Sequence, residues 1–203
     1  MKNNIRFRVI LVLVFSLVSL SANAALVSRF GGQAYYDDKL NITWMANANV
    51  NGVMPWNNAV TWANNLVFGG ASNWRLPSMD VNGDLVLVDC STVTESVCRD
   101  NEYGYMFYQN GVTKSTAGPF SGIESQDYWS STIYAPSPAN AWDFNFINGD
   151  HNWTGIGPGT SLFAWAVADG DVLLTPTVPL PAAFWLFGSG LVGLISIAKR
   201  RKQ

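Results

Sequence analysis

Two apolar segments without charged residues, one near each end, flank the central part of this 203-residue chain. The first, residues 9–20, reads VILVLVFSLVSL, and the small residues Ala22 and Ala24 follow it. Three basic residues precede it: Lys2, Arg6 and Arg8. This pattern is typical of a signal peptide, so we expect residues 1–24 to be cleaved by signal peptidase after Ala24. An uncleaved anchor is the alternative, but the apolar segment is short for a membrane span.

The second apolar segment, residues 181–198, is 18 residues long. As an α-helix it would extend about 27 Å, close to the ~30 Å hydrocarbon core of a bilayer. Four basic residues follow it: Lys199, Arg200, Arg201 and Lys202. Because basic clusters stay in the cytoplasm, we expect a transmembrane helix that leaves the central domain on the opposite side of the membrane. A core helix of a soluble fold is the alternative.

This end of the chain also resembles a known sorting signal. Residues 178–203 begin with Val178, Pro179, Leu180 and Pro181, continue with the apolar segment and end in the basic cluster. The order is similar to that of PEP-CTERM tails, which occur on exported proteins of Gram-negative bacteria that make extracellular polysaccharide. The resemblance implies processing by an exosortase, a membrane cysteine protease. It also implies an inner-membrane-anchored precursor that faces the periplasm and then reaches the cell surface or extracellular matrix.

The central part of the chain is strongly acidic. It holds all 14 acidic residues, between Asp37 and Asp171, and only five of the 12 basic ones, which gives it a net charge of −9. A nucleic-acid-binding protein needs a basic surface, so we expect no nucleic-acid partner. Binding of polyanionic sugars is disfavoured for the same reason. The single histidine, His151, excludes a metal site with several histidine ligands.

The central residues 25–172 are long enough for one hydrophobic core, with residues 173–177 as a linker to the tail. Pro55 and the apolar residues that follow it at helical spacing predict a helix that ends before Gly69. We expect a second short helix within residues 100–108. Apolar and aromatic patterns predict five strands, over residues 34–36, 42–44, 128–134, 141–146 and 163–167.

Cys90 and Cys98 are the only cysteines of the chain. In an exported protein, two cysteines eight positions apart most simply form a disulfide. Redox chemistry is the alternative, but the chain has no C-x-x-C motif.

Several motifs of the central part follow one another in an order that resembles a known family. They are LNITW at 40–44, the Trp56–Ala63 segment, NWRLP at 73–77, YWSST at 128–132, AWDFNF at 141–146 and AWAV at 164–167. The series is similar to the Lcl C-terminal domain family over about residues 35–172. That family is similar to the C-type-lectin-like and formylglycine-generating-enzyme fold group. The resemblance implies an α+β, C-type-lectin-like domain with one or two helices and small antiparallel sheets.

One acidic loop carries oxygen ligands of the kind that calcium prefers. Asp80, Asn82 and Asp84 stand at alternate positions, with Gly83 available for a turn. The segment lacks the downstream glutamate of an EF-hand, so an ordinary Asx-rich turn is the alternative. Calcium is therefore the one candidate cofactor.

A second stretch combines aromatic rings with polar side chains that can bind sugar hydroxyls. Its residues are Trp142, Asp143, Asn145, Asp150, Asn152 and Trp153. The alternative is that both tryptophans belong to the core. The sequence thus predicts a carbohydrate site here, with extracellular polysaccharide as the candidate partner.

Catalysis has little support in the central part, where no G-x-S-x-G motif occurs. No spacing joins His151 to a nucleophile and an orienting carboxylate. We therefore expect a non-enzymatic protein with a binding or structural role in the cell-surface or biofilm matrix. The first alternative is a carbohydrate-binding adhesin, with or without calcium, and the second is an enzyme of unknown substrate.

Overall fold

The computed structural model describes residues 26–173. The predicted signal peptide with its cleavage site at Ala22 and Ala24, and the predicted tail with its span over 181–198, lie outside these residues. Within 26–173, no helix is both long and apolar enough to cross a membrane.

Ten short strands and three helices occupy the described chain. In chain order they are β1 (Leu26–Arg29), β2 (Ala34–Asp37), β3 (Ile42–Met45), β4 (Val53–Met54), α1 (Trp56–Asn64), β5 (Trp74–Arg75), α2 (Glu95–Cys98), α3 (Glu102–Tyr108), β6 (Asp127–Ile133), β7 (Asn140–Asn145), β8 (His151–Gly155), β9 (Leu162–Phe163) and β10 (Val167–Asp169). The predicted α+β class is confirmed.

The first sheet has the strand order β1-β2-β3-β10-β5, and every pair in it is antiparallel. The strands predicted over residues 34–36 and 42–44 are confirmed as β2 and β3, which form a hairpin. Four neighbouring strands are aligned so that one row of paired residues crosses them: Leu26, Asp37, Ile42 and Asp169. The two ends of the domain therefore lie at one end of the same sheet.

The second sheet has the order β4-β9-β6-β7-β8, and its β6–β9 pair is parallel. The strand predicted over 163–167 is wrong as a single element. Phe163 ends β9 in the second sheet, whereas Val167 begins β10 in the first. The crossing residue Trp165 is fully buried, and its indole N–H donates to the Met45 carbonyl at 2.7 Å. A short apolar run does not distinguish one buried strand from two joined by a buried link.

Aromatic side chains fill the core between the sheets. Trp44, Trp74, Trp129 and Trp165 are all buried. The rings of Trp44 and Trp165 lie 4.9 Å apart at an angle of 60°. Such edge-to-face contacts add to the burial of apolar area, which explains how a fold with short strands holds together.

The predicted helix after Pro55 is confirmed as α1. Ala59 and Ala63 face the core and are fully buried, with 0% accessible surface. They lie in one cluster with Leu76, Trp129 and Ala141. Small residues on this helix face let the backbone of α1 approach the second sheet closely.

The predicted second helix is confirmed as α3, although it contains a glycine. A Cβ atom on Gly104 would lie 2.8 Å from the sulfur of Cys90. The glycine thus permits close packing of α3 against the Cys90–Cys98 disulfide, which is present as predicted. Both cysteines are buried, together with Tyr105.

Candidate functional site

Three aromatic rings meet at one end of the second sheet. Trp142 of β7 and Trp153 of β8 form a cross-strand pair, so their side chains leave the same face of the sheet. The Tyr134 ring stacks on Trp153 at 5.1 Å and 5°, and meets Trp142 edge-on at 5.1 Å and 84°. Trp153 is 52% exposed. One face of its indole is held by Tyr134 while much of the side chain remains open to solvent.

A cleft of about 210 Å³ lies beside these rings, and we call it the aromatic cleft. One wall runs from Thr132 to Pro136 and includes Trp142; the other is formed by Asp80, Leu85 and Leu87. Leu85 is 71% exposed, so the loop that carries it offers apolar surface at the cleft. The aromatic cleft thus combines flat rings, apolar side chains and one carboxylate.

Asp80 connects the aromatic cleft to a group of carboxylates. Asp80, Asp84 and Asp100 each place one carboxylate oxygen within 4.8 Å of the others. Burial raises the pKa of Asp100, and the charges of Asp80 and Asp84 raise it further. Asp100 was not predicted from the sequence, because only the fold brings it back to the loop. There its backbone carbonyl and side chain accept hydrogen bonds from the N–H groups of Val81 and Asn82.

The loop of the predicted calcium site is also held by its own hydrogen bonds. The Asp80 carboxylate accepts from the backbone N–H groups of Gly83, Asp84 and Leu85. Asn82 Oδ1 accepts from the Asp84 N–H. These contacts are those of an Asx-rich turn, the alternative interpretation of the sequence. Carboxylate oxygens keep further lone pairs, and the buried Oδ2 of Asp100 has no hydrogen-bond partner within residues 26–173. The oxygen atoms of this loop and of Asp100 therefore fit the coordination of a hard cation as well as an Asx-rich turn without a metal.

The six residues predicted as a sugar site do not all share one surface. Strand alternation separates them: Asp143 pairs with Asn152 across β7 and β8, so both point away from Trp142 and Trp153. Asp143 is fully buried and cannot touch a ligand at the surface. Asn145 lies on the same face as Asp143, where its amide donates to Asp127 at 2.7 Å.

Of the predicted six, Trp142 lines the aromatic cleft, and Trp153 lies beside it in the stack with Tyr134. Asp150 is an exposed residue just before β8. Trp142 is half-buried, whereas Trp153 does not belong to the core. The sequence missed Tyr134, although its place after an aromatic strand offered a signal.

Asp143 has an unusual environment for a carboxylate. Neither of its oxygens forms a hydrogen bond of normal geometry within the described chain. Burial raises the pKa of Asp143 to about 6; the nearby Thr154 side chain offsets part of this rise and the charge of Asp127 adds to it. This carboxyl therefore belongs to the packing behind the sheet and not to the aromatic cleft.

His151 lies at the start of β8, with its ring 6.1 Å from that of Trp142. Within residues 26–173, its imidazole forms no hydrogen bond with another side chain. The structure thus gives His151 an aromatic neighbour, without the hydroxyl and carboxylate partners of a catalytic triad.

No curated protein matches the chain. Residues 177–202 match the PEP-CTERM protein-sorting motif. This match supports an exported protein that is processed by an exosortase at the membrane, with an anchored precursor that goes to the cell surface of a Gram-negative bacterium. Residues 33–168, which are more than half of the chain, match the Lcl C-terminal domain model. The chain therefore belongs to the Lcl C-terminal domain family.

Proposed function

We propose that this protein is a non-enzymatic binding component of the cell surface or extracellular polysaccharide matrix. Its central domain, with a C-type-lectin-like fold, binds carbohydrate at the aromatic cleft. The sorting motif supports the extracellular location. On this proposal, residues 1–24 direct export, and the tail holds the precursor in the inner membrane until an exosortase acts on it.

The exposed ring of Trp153 carries the proposal. Sugar rings present flat faces of C–H groups that pack well on an aromatic face, and their hydroxyls bind nearby polar groups. Trp153 stacks on Tyr134 and is therefore held in a fixed orientation before a ligand arrives. A rigid aromatic side chain loses little conformational entropy on binding. A cleft next to the ring gives a second contact surface for an extended chain of sugars.

The test is binding of a panel of matrix oligosaccharides to the full chain in neutral detergent, measured by calorimetry. We expect at least one oligosaccharide to bind, Trp153→Ala to weaken it at least tenfold, and Trp153→Phe to retain part of the affinity. Val67→Ala is the matched control, since Val67 is 72% exposed and does not line the aromatic cleft. Absence of binding to every oligosaccharide, or equal binding by Trp153→Ala, would contradict the proposal.

Calcium is a second element of the proposal, favoured by the position of Asp100. Its unpartnered Oδ2 faces a loop whose other ligands were predicted from the sequence alone. We expect millimolar Ca²⁺ to raise the Tm of the full chain and Asp100→Asn to abolish the rise, with Mg²⁺ and Asp127→Asn as controls. An unchanged Tm would leave the loop as an Asx-rich turn.

The enzyme hypothesis makes a separate prediction. A histidine-dependent mechanism would have to use His151, because it is the only histidine of the chain. Any hydrolytic activity of the purified protein that survives in His151→Ala would remove the sequence support for His151 as the catalytic residue.

A further inference from the structure

We propose that the aromatic cleft binds a cationic sugar: an oligomer of hexosamine units that carry free amino groups. This inference rests on the proposed carbohydrate function and narrows its ligand class.

The first observation concerns the cations of the described chain. All five lysine and arginine side chains within residues 26–173 form ion pairs with carboxylates. The pairs are Arg29–Asp171, Lys39–Asp38, Arg75–Glu102 with Asp169, Arg99–Glu95 and Lys114–Glu124. The described surface therefore offers no unpaired lysine or arginine to an anionic polymer.

The second observation concerns the carboxylates that remain. Eight acidic residues of this part of the chain are not in ion pairs, and two of these, Asp37 and Asp143, are buried. The other six are exposed or half-buried: Asp80, Asp84, Asp89, Asp100, Asp127 and Asp150.

Three of these six carboxylates lie at the aromatic cleft. Asp80 lines the cleft, and Asp84 and Asp100 lie next to Asp80. Neither Asp89 nor Asp150 lines the cleft. Asp127 lies on the opposite face of the sheet, where it accepts a hydrogen bond from Asn145.

Half of the accessible unpaired carboxylates of the described chain thus lie at the aromatic cleft. Aromatic faces attract cations through their quadrupole, and carboxylates attract them directly. A polymer of free amino sugars offers a ring face for Trp153 and an ammonium group for the carboxylates in every unit. Uronic-acid polymers would meet the same carboxylates with repulsion. A lysine-rich peptide offers the charge but lacks the sugar face, so it is the competing class to be tested.

The experiment uses the full chain in neutral detergent and calcium-free buffer at pH 5.5, where the amines are protonated and Asp80, Asp84 and Asp100 hold no calcium. Calorimetry compares a glucosamine hexamer with its fully N-acetylated form, an oligouronate and an oligolysine. We expect the glucosamine hexamer to bind at least tenfold more tightly than the other three, and added salt to reduce this preference. Equal or tighter binding of the acetylated or uronate oligomer would overturn the cationic ligand class but leave the proposed function intact. Tighter binding of oligolysine would overturn the sugar assignment. No binding of any oligomer would overturn both.

The variants test the source of the preference. Asp84→Asn removes one charge next to Asp80, and Asp100→Asn removes one that lies next to both Asp80 and Asp84. We expect each to reduce the affinity for the glucosamine hexamer about threefold or more, without changing the affinity for its acetylated form. Asp127→Asn is the matched control and should leave both affinities unchanged. An Asp84→Asn effect equal to that of Asp127→Asn, in folded protein, would contradict the proposed charge arrangement.

Discussion

Arg75 and Glu102 form a bidentate ion pair that joins an edge strand of the first sheet to the start of α3. The Arg75 Nη1 and Nη2 atoms lie 2.8 and 2.7 Å from the two carboxylate oxygens. The Glu102 side chain is only 3% exposed. Burial opposes the charge on Arg75, but its bonds to Glu102 and then to Asp169 raise the pKa of Arg75 above the usual arginine value. Glu102 Oε2 also accepts from the Ser78 N–H, so one carboxylate orders three segments.

Loss of the arginine should therefore destabilise the fold. Arg75→Met leaves the carboxylate of Glu102 buried without its cation, and removal of one partner from a buried pair costs about 3–5 kcal/mol. Because Arg75 itself is 26% exposed, we expect a somewhat smaller loss of roughly 2–4 kcal/mol in unfolding free energy by urea titration. The control is Arg99→Met, whose exposed pair with Glu95 should contribute little. Equal losses in the two variants would contradict this role.

The disulfide should stabilise the domain by a moderate amount. It closes a loop with a sequence separation of eight. A loop of this length corresponds to about 2.5 kcal/mol in the chain-entropy model. We expect Cys90→Ala/Cys98→Ala to lower the unfolding free energy by about this amount. We also expect neither thiol to react with an alkylating reagent until a reductant is added. Labelling of the untreated protein under native conditions would be inconsistent with the pairing.

Gly104 should resist substitution because of its contact with the disulfide. Gly104→Ala would gain up to about 1 kcal/mol in helix propensity. The new Cβ atom, however, would lie 2.8 Å from Cys90 Sγ. We expect a net loss of roughly 1–3 kcal/mol, typical of an overpacked core. The same change in the Cys90→Ala/Cys98→Ala background should cost less, since the sulfur is gone; a strictly additive double-mutant cycle would refute this explanation.

Asp143 should make stability depend on pH in an unusual direction. Its folded pKa of about 6 lies above the value of about 3.9 for an unfolded aspartate. The folded state therefore binds the proton more tightly, and this contribution is fully present below about pH 4 and is lost as the pH rises through 6. The difference corresponds to roughly 3 kcal/mol at pH 8.

The measurement is the unfolding free energy of the full chain at pH 4 and pH 8. Asp143→Asn should remove this pH-dependent component, so that the variant is relatively more stable than the wild type at pH 8. Asp150→Asn, an exposed aspartate, should keep the wild-type dependence. Identical pH profiles for wild type and Asp143→Asn would show that Asp143 does not supply this component.

Local sequence patterns predicted those elements whose signals are local. Pro55 and the apolar residues at helical spacing located α1, and the apolar and aromatic residues on either side of Asp37 located β2 and β3. The division between β9 and β10 was not predictable in the same way, because Ala164–Ala166 are apolar whether they form a strand or a buried link. Gly104 argued against α3 on propensity, and a tertiary contact with Cys90 explains its presence.

The candidate site shows the same division between local and long-range information. Trp142 and Trp153 were recognised from their own stretch of sequence. Their polar neighbours are close in sequence, but strand alternation places Asp143 and Asn152 on the opposite face. Asp100 joins Asp80 and Asp84 only through the fold, so no spacing rule could have included it.

The position of β10 bears on the stability of the domain after the tail has been cleaved. This last strand is hydrogen-bonded to β3 on one side and β5 on the other, and the Arg29–Asp171 ion pair joins the two ends of the domain just beyond it. Every described strand is complete before residue 173. A cut in the tail would therefore leave the hydrogen bonds between the described strands of both sheets in place. We expect the detached domain to have the same Tm as the tethered one.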